Sequence, residues 1–161
     1  MNFKQLNVLL ADDDADDCIF FKAALDELLI PTHLTVVHDG EQLMQLLTNE
    51  STELPDVLFL DINMPRKNGK ECLVEIKLNN KLKHFPVIMF STSYEKEVVN
   101  LLHKNGAQYF IRKPSEFLQF KKVIQQTLAL VAQDLPVDKA GNISQPTIEN
   151  FVLTMQNTLK I

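Results

Sequence analysis

The chain has 161 residues, of which 45% are hydrophobic and 23% charged, and its formal net charge is −5. This composition is typical of one folded domain with its own core and excludes a disordered chain. The sequence pI is about 5.3 and no run of Lys and Arg exceeds two residues. Both features argue against a protein that binds the phosphate backbone of a nucleic acid.

The two cysteines, Cys18 and Cys72, form neither a CxxC pair nor a Cys/His metal-ligand spacing. They are predicted to be free thiols in a reducing compartment. The N-terminal residues carry no leader-like cleavage site, and no stretch approaches the roughly 20 apolar residues that cross a bilayer. The sequence therefore predicts a cytoplasmic protein without membrane insertion.

Five short apolar runs alternate with stretches of helical periodicity. The runs occupy residues 8–11, 34–37, 57–60, 87–90 and 109–111. The third and fourth are continuous apolar runs entered through prolines, which is typical of strands buried on both faces. The pattern predicts an α/β fold over residues 1–133: a doubly wound (βα)5 unit with a parallel five-stranded sheet.

Polar residues follow four of the predicted strands. They are Asp12 and Asp13 after the first strand, Asp61 and Asn63 after the third, Ser91 after the fourth and Lys113 after the fifth. In such sheets ligands bind beyond the carboxyl ends of the strands, at the switch in strand order. We therefore expect these side chains to meet at one edge of the sheet.

Three neighbouring carboxylates repel one another unless a cation compensates their charge. An oxygen-only ligand set without His or Cys favours Mg²⁺ over zinc. A carboxylate can also attack phosphorus, and phosphoryl transfer needs positioning and neutralisation of the phosphoryl oxygens. Asp61, on the central strand, is the expected phosphoacceptor, with Mg²⁺, Lys113 and the Ser91 hydroxyl supplying the neutralisation.

At this point the sequence resembles the receiver domains of two-component response regulators, including the stand-alone chemotaxis receiver. The matching stretches, over about residues 5–132, are VLLADDD, PDVLFLDINMP with the following NG, PVIMFSTS and GAQYFIRKP. The resemblance implies the flavodoxin-like receiver fold and phosphorylation of Asp61. It implies that Asp13 holds Mg²⁺ directly and Asp12 largely through water, with Asp61 and the Asn63 backbone carbonyl as further ligands.

The resemblance also assigns Ser91 as the switch hydroxyl and Lys113 as the partner of the phosphoryl group, with a bond to Pro114 that is cis in many relatives. Two positions depart from the family pattern. Phe110 stands at the switch aromatic, where the chemotaxis relative has Tyr, so a hydroxyl contact with a partner is missing. Thr92 stands where many relatives have Ala or Gly, and its bulk is expected to narrow access to Asp61.

Several candidates also have a plain structural explanation. Asp14, Asp16 and Asp17 fit a helix N-terminus, which favours acidic residues, with Asp14 or Asp16 as the N-cap. The scattered histidines show no ligand spacing and are interpreted as surface or loop residues: His33, His38, His84 and His103.

Residues 134–161 are predicted to be a polar linker over 134–145 and an amphipathic helix over 146–161, not an independent domain. The helix would carry one apolar face, formed by Ile148, Phe151, Val152, Met155 and Leu159. Leu118 and Leu130 lie off the core-facing stripe of the fifth helix and are candidates for a contact surface. The apolar positions of this helix and the tail allow a homodimer.

The function predicted from these features is a phosphorelay receiver. A sensor histidine kinase or phosphotransfer protein donates the phosphoryl group, and the face formed by helix four, strand five and helix five changes its downstream partner. The domain catalyses only its own phosphorylation and dephosphorylation. Two alternatives stay open: a haloacid-dehalogenase-type phosphatase, which normally needs an acid at the position of Asn63, and a binding module of the same fold, either flavodoxin-like or a receiver that is never phosphorylated.

Overall fold

The computed structural model describes residues 5–133, 135 and 137–153. The elements in this part of the chain are, in order, β1 Leu6–Ala11, α1 Ala15–Asp26, β2 Thr32–Val37, α2 Gly40–Thr48, β3 Val57–Asp61, α3 Gly69–Leu78, β4 Val87–Ser91, α4 Lys96–Lys104, β5 Tyr109–Arg112, α5 Phe117–Gln133, α6 Ile148–Phe151 and β6 Val152–Leu153. The first ten elements alternate between strand and helix, which confirms the predicted (βα)5 order.

The strands form one parallel sheet in the order β2-β1-β3-β4-β5-β6. The strand order reverses at β1, which lies between β2 and β3. Ala11 of β1 pairs with Leu60 of β3, so Asp12 and Asp61 stand next to each other at the carboxyl edge. This is the switch point at which open α/β sheets bind their ligands.

Helices cover both faces of the sheet, and every residue of β3 and β4 is buried. Successive strand residues point to opposite faces. Leu58 and Leu60 pack into the cluster shared with α2, α3 and α4, while Val57 and Phe59 pack into the cluster shared with α1 and α5. Two cores therefore hold the central strands in place, and with them the residues at the strand ends.

The ends of two helices follow from local sequence. The Asp14 side chain accepts hydrogen bonds from the backbone N–H groups of Asp16 and Asp17, so Asp14 is the N-cap of α1. Helix α4 ends at Lys104 with Asn105 as its C-cap, and Gly106 follows with φ 101°. Glycine suits this left-handed backbone because it lacks a Cβ.

The C-terminal segment differs from the prediction, because the helix ends after one turn. Residues 152–153 continue as β6, which pairs in parallel with β5 in the register Phe110↔Val152 and Ile111↔Leu153. The predicted helix over 146–161 is therefore wrong at residues 152–153, and the sheet has a sixth strand. The open backbone groups of the β5 edge supply hydrogen-bond partners for the strand, which apolar spacing alone does not reveal. Met155 and Leu159 lie outside the described residues.

Helix α5 settles one further prediction. Leu118 is exposed, as a contact-surface residue must be, but Leu130 is buried in the core cluster shared with α1. The assignment of Leu130 to a contact surface is wrong, because α5 packs against α1 along a wider stripe than the sequence indicates.

Cys18 and Cys72 are free thiols, as predicted. No helix in the described part of the chain combines the length and the apolar character needed to span a bilayer.

Candidate functional site

Three carboxylates meet at the carboxyl edge of the sheet. Asp12, Asp13 and Asp61 each offer an oxygen, and these atoms lie within 4.8 Å of one another. Asp12 and Asp61 are buried, whereas Asp13 is exposed. The pairing of β1 with β3 produces this arrangement, since it places the two strand ends side by side.

Backbone groups orient two of these carboxylates. The Asp12 Oδ1 atom accepts a hydrogen bond of 2.9 Å from the N–H of Asp14. The Asp61 Oδ1 atom accepts a longer one of 3.4 Å from the N–H of Asn63. The other oxygen of each carboxylate faces the interior of the site.

An ammonium lies among the acids. Lys113 Nζ donates hydrogen bonds to Asp12 Oδ2 at 2.9 Å and to Asp17 Oδ2 at 2.8 Å, and lies 3.6 Å from Asp61 Oδ2. It also lies 4.8 Å from the centroid of the Phe90 ring. Burial would lower the pKa of Lys113, but the neighbouring carboxylates of Asp12 and Asp61 raise it above its ordinary value. The Lys113 side chain therefore stays protonated and positively charged.

The pKa of the Asp61 carboxyl group departs strongly from its ordinary value. Burial raises its pKa to about 7; Lys113 opposes this shift and the carboxylate of Asp12 adds to it. The single ammonium of Lys113 thus does not compensate the negative charge of the three carboxylates. The donor set, made of oxygens only, fits a hard divalent cation, which would supply the missing positive charge.

Residues after β4 form the neighbouring wall. Ser91 is buried, its hydroxyl oxygen lies 3.4 Å from that of Ser93, and it accepts a 3.3 Å hydrogen bond from the Ser93 N–H. Thr92 is exposed, and its carbonyl oxygen accepts a 3.4 Å hydrogen bond from Arg112 Nε. Thr92 and Lys113 also line a hollow of about 510 Å³ that opens beside α1 and α5.

Phe110, the predicted switch aromatic, is buried on β5, two strands away from Asp61. Its ring makes an edge contact with Tyr94, with centroids 6.1 Å apart. A small hollow of about 100 Å³ adjoins the ring and is also lined by Asn63 and Ser93. The hollow therefore lies between the loops that follow β3 and β4 and the Phe110 ring.

Sequence reasoning missed two contacts of the site. Asp17, interpreted only as a helix-terminal acid, makes an ion pair with Lys113. His38, interpreted as a surface residue, is exposed, but its Nδ1 lies 3.2 Å from the Asp12 carbonyl oxygen. The sequence did contain a signal for Asp17. Helix α1 begins only a few residues after β1, so its first turn, which includes Asp17, must lie near the carboxyl edge of the sheet.

Two further expectations differ from the structure. The Lys113–Pro114 peptide bond is trans, like every other peptide bond between described residues. His103 is half-buried, and its Nε2 lies 2.8 Å from the Pro146 carbonyl oxygen. The interpretation of His103 as a surface residue is wrong, because the C-terminal segment covers it.

Comparisons with known proteins identify the family of this fold. The family model described as "Response regulator receiver domain" matches residues 8–125. Response regulator Rcp1 of Synechocystis sp. is 29% identical over 122 residues, covering 73% of this chain and 83% of that protein. The crystal structure of the Mn²⁺-bound form of Rcp1 matches with a TM-score of 0.76 at 26% identity, over 83% of this chain and 99% of that one.

A second solved structure, the phosphorylated cyanobacterial phytochrome response regulator RcpA, matches with a TM-score of 0.78 at 26% identity, over 83% of this chain and 98% of that chain. The family model alone spans most of the chain, from β1 into α5. This chain therefore belongs to the response regulator receiver family of two-component systems.

Proposed function

We propose that Asp61 is the phosphoacceptor of this receiver and that the cation at the site is Mg²⁺, held by Asp12, Asp13, Asp61 and the backbone carbonyl of Asn63. The observation that carries the proposal is the convergence of three carboxylates within 4.8 Å, with the Lys113 ammonium 3.6 Å from Asp61. Bound Mg²⁺ would neutralise the carboxylates and the oxygens of the incoming phosphoryl group.

Asp61 acts as the nucleophile. One carboxylate oxygen attacks the phosphorus of a phosphohistidine, a P–O bond forms, and the P–N bond breaks. The imidazole leaves with the electron pair of that bond and carries a proton. The attack needs the ionised carboxylate, and burial raises the pKa of Asp61 to about 7. Positive charge in the site therefore favours the reactive form.

The remaining site residues stabilise the phosphoryl group. Lys113 neutralises one of its oxygens, and the Ser91 hydroxyl donates a hydrogen bond to another. Thr92 stands at the edge of the hollow beside Lys113 and limits the approach of water. Together these residues set how fast the phosphoryl group arrives and how long it stays.

The phosphodonor is a sensor histidine kinase or a phosphotransfer protein. Two exposed apolar side chains line the hollow next to Lys113, namely those of Phe20 and Phe117. A donor that buries them brings its phosphohistidine to the carboxyl edge. The phosphorylated structure of RcpA, which matches this chain at 26% identity, supports phosphorylation of this receiver.

The output face is the region of α4, β5 and α5, and it includes the C-terminal segment. Phe110 and Ile111 of β5 pair with β6, and Gln145 Nε2 donates hydrogen bonds to the carbonyl oxygens of His103 and Ala107. The partner on this face, a downstream protein or a second copy of the chain, therefore meets 144–153 together with α4. The protein works in the cytoplasm and turns over no external substrate.

The test is intact-mass analysis after incubation with acetyl phosphate and Mg²⁺. We expect one added phosphoryl group, which EDTA and Asp61→Asn both abolish. Asp26→Asn, an exposed acid at the end of α1, is the matched control and should leave the adduct intact. An adduct that persists in Asp61→Asn would show that another residue is the acceptor.

A further inference from the structure

Asp17 is a fourth carboxylate at the site, and it contacts the ammonium rather than the other acids. Its Oδ2 lies 2.8 Å from Lys113 Nζ, closer than the Asp61 Oδ2 at 3.6 Å. It belongs to the first turn of α1 and is not one of the three clustered carboxylates. We propose that Asp17 is a positioning residue, which acts on phosphorylation by holding the Lys113 ammonium beside Asp61.

The hydrogen-bond inventory of the ammonium supports this role. A lysine ammonium has three N–H donors. Asp12 and Asp17 accept two of them, at 2.9 Å and 2.8 Å. One donor then remains for Asp61, or for an oxygen of a phosphoryl group attached to it. With Asp17 in place, the free donor is the one that the reaction uses.

Burial makes the anchoring effective. The Lys113 side chain is 4% exposed and the Asp17 side chain 19%, so little water competes for the ion pair, and the charge-assisted bond is stronger than at an exposed position. Lysine has a flexible four-carbon stem and places its charge poorly unless it is held. Without Asp17, the attraction of Asp12 and Asp61 alone would decide where the ammonium lies.

Asp16, in the same helical turn, provides a control for a purely structural role of Asp17. Acidic residues at a helix N-terminus stabilise it through the helix dipole, and both Asp16 and Asp17 lie in the first turn of α1. Asp16 is exposed, and no ion pair joins it to Lys113 among the described contacts. Asp16→Asn therefore removes the same helix-terminal charge but leaves the ammonium anchored.

The chemical part of this inference rests on the proposed function, so the experiment has two readouts. The first is the rate of phosphorylation by acetyl phosphate with Mg²⁺. We expect Asp17→Asn to lower it about tenfold, Asp17→Glu to recover part of the loss, and Asp16→Asn to leave it unchanged. In a Lys113→Met background, Asp17→Asn should add no further loss, because Asp17 acts through the lysine.

The second readout needs no phosphorylation. The ¹⁵N signal of the Lys113 ammonium, protected from exchange by its hydrogen bonds, should persist in Asp16→Asn and vanish in Asp17→Asn. A signal unchanged in Asp17→Asn would overturn the anchoring. Equal rates for the two Asn variants, or a further loss in the Lys113→Met background, would overturn the role in the reaction. A wild-type protein that gains no adduct would overturn the proposed function, while the ammonium signal still decides the anchoring.

Discussion

The ring of Phe151 lies against the imidazole of His103, with their centroids 4.9 Å apart and an interplanar angle of 71°. Phe151 is fully buried and belongs to the core cluster that contains Val99 and Leu102 of α4. The C-terminal segment is thus held by a core side chain as well as by strand pairing. Its docking contributes to the stability of the whole domain.

Phe151→Ala tests that contribution. Truncating a buried Phe removes apolar contacts and leaves a cavity, so we expect the free energy of unfolding to fall by about 3–5 kcal/mol. Urea denaturation followed by circular dichroism measures the change. Ile148→Ala, at a partly exposed position of the same helix, should cost less than about 1 kcal/mol. Equal, small losses in both variants would contradict a docked segment.

Asp61 makes stability depend on pH. Its pKa is about 7 in the folded protein, against an ordinary value of 3.8. Between these values the folded state binds more protons than the unfolded state, so the free energy of unfolding falls as the pH rises from about 4 to 7. Without divalent cations, Asp61→Asn should therefore be more stable than the wild type at pH 8, by about 1–2 kcal/mol.

The measurement is urea denaturation in EDTA at pH 8 and at pH 5, where the difference should shrink. Asp26→Asn, which removes an exposed charge, should show no such pH-dependent gain. An Asp61→Asn variant no more stable than the wild type at pH 8 would contradict the prediction that the buried, ionised carboxylate lowers the free energy of unfolding.

Thr92→Ala should shorten the lifetime of the phosphoryl group. Thr92 is exposed at the hollow beside Lys113, and a smaller side chain leaves more room for water. We expect hydrolysis to become about threefold faster, which corresponds to about 0.7 kcal/mol in the barrier. The decay of the intact-mass adduct measures it. Ser115→Ala, in the wall of the same hollow, is the control; an unchanged lifetime in Thr92→Ala rules out the shielding.

Lys77 adds a second pH dependence, in the alkaline range. Burial lowers its pKa to about 8, while its Nζ donates hydrogen bonds to the carbonyl oxygens of Lys83 and Phe85. Between pH 8 and 10.5 the unfolded chain binds the extra proton, so the free energy of unfolding rises with pH in this window. Lys77→Met should lose this rise, and Lys122→Met, at an exposed position of α5, should keep it. Denaturation at pH 8 and pH 10 measures both; the same slope in all proteins would contradict the lowered pKa.

The sequence predicted the strand-end acids well because local rules govern them. Continuous apolar runs identify the buried strands, and parallel strands end at one edge, so Asp12 and Asp61 had to approach each other. The role of Asp17 could not be predicted with the same rules. An acidic residue in a first helical turn already has a local explanation, and only the folded structure shows that its carboxylate reaches Lys113.

The C-terminal strand was unpredictable for a different reason. The spacing of the apolar residues in this segment fits a continuous helix as well as one helical turn followed by a strand. These residues are Ile148, Phe151 and Val152. The choice depends on β5, about 40 residues earlier in the chain, whose edge offers free backbone groups. Long-range pairing of this kind outweighs local periodicity, and the sequence of the segment alone does not contain it.

The pairing of β6 with β5 also protects the sheet. A strand at an open edge presents a row of unsatisfied N–H and C=O groups and can template the addition of a strand from another molecule. β6 covers part of this row, next to Phe110 and Ile111. A fragment shortened to residues 1–133 would expose it together with the apolar surface left by Phe151, and such a fragment would be prone to aggregate through β5. The last described residues thus shield part of the β5 edge from pairing with another molecule.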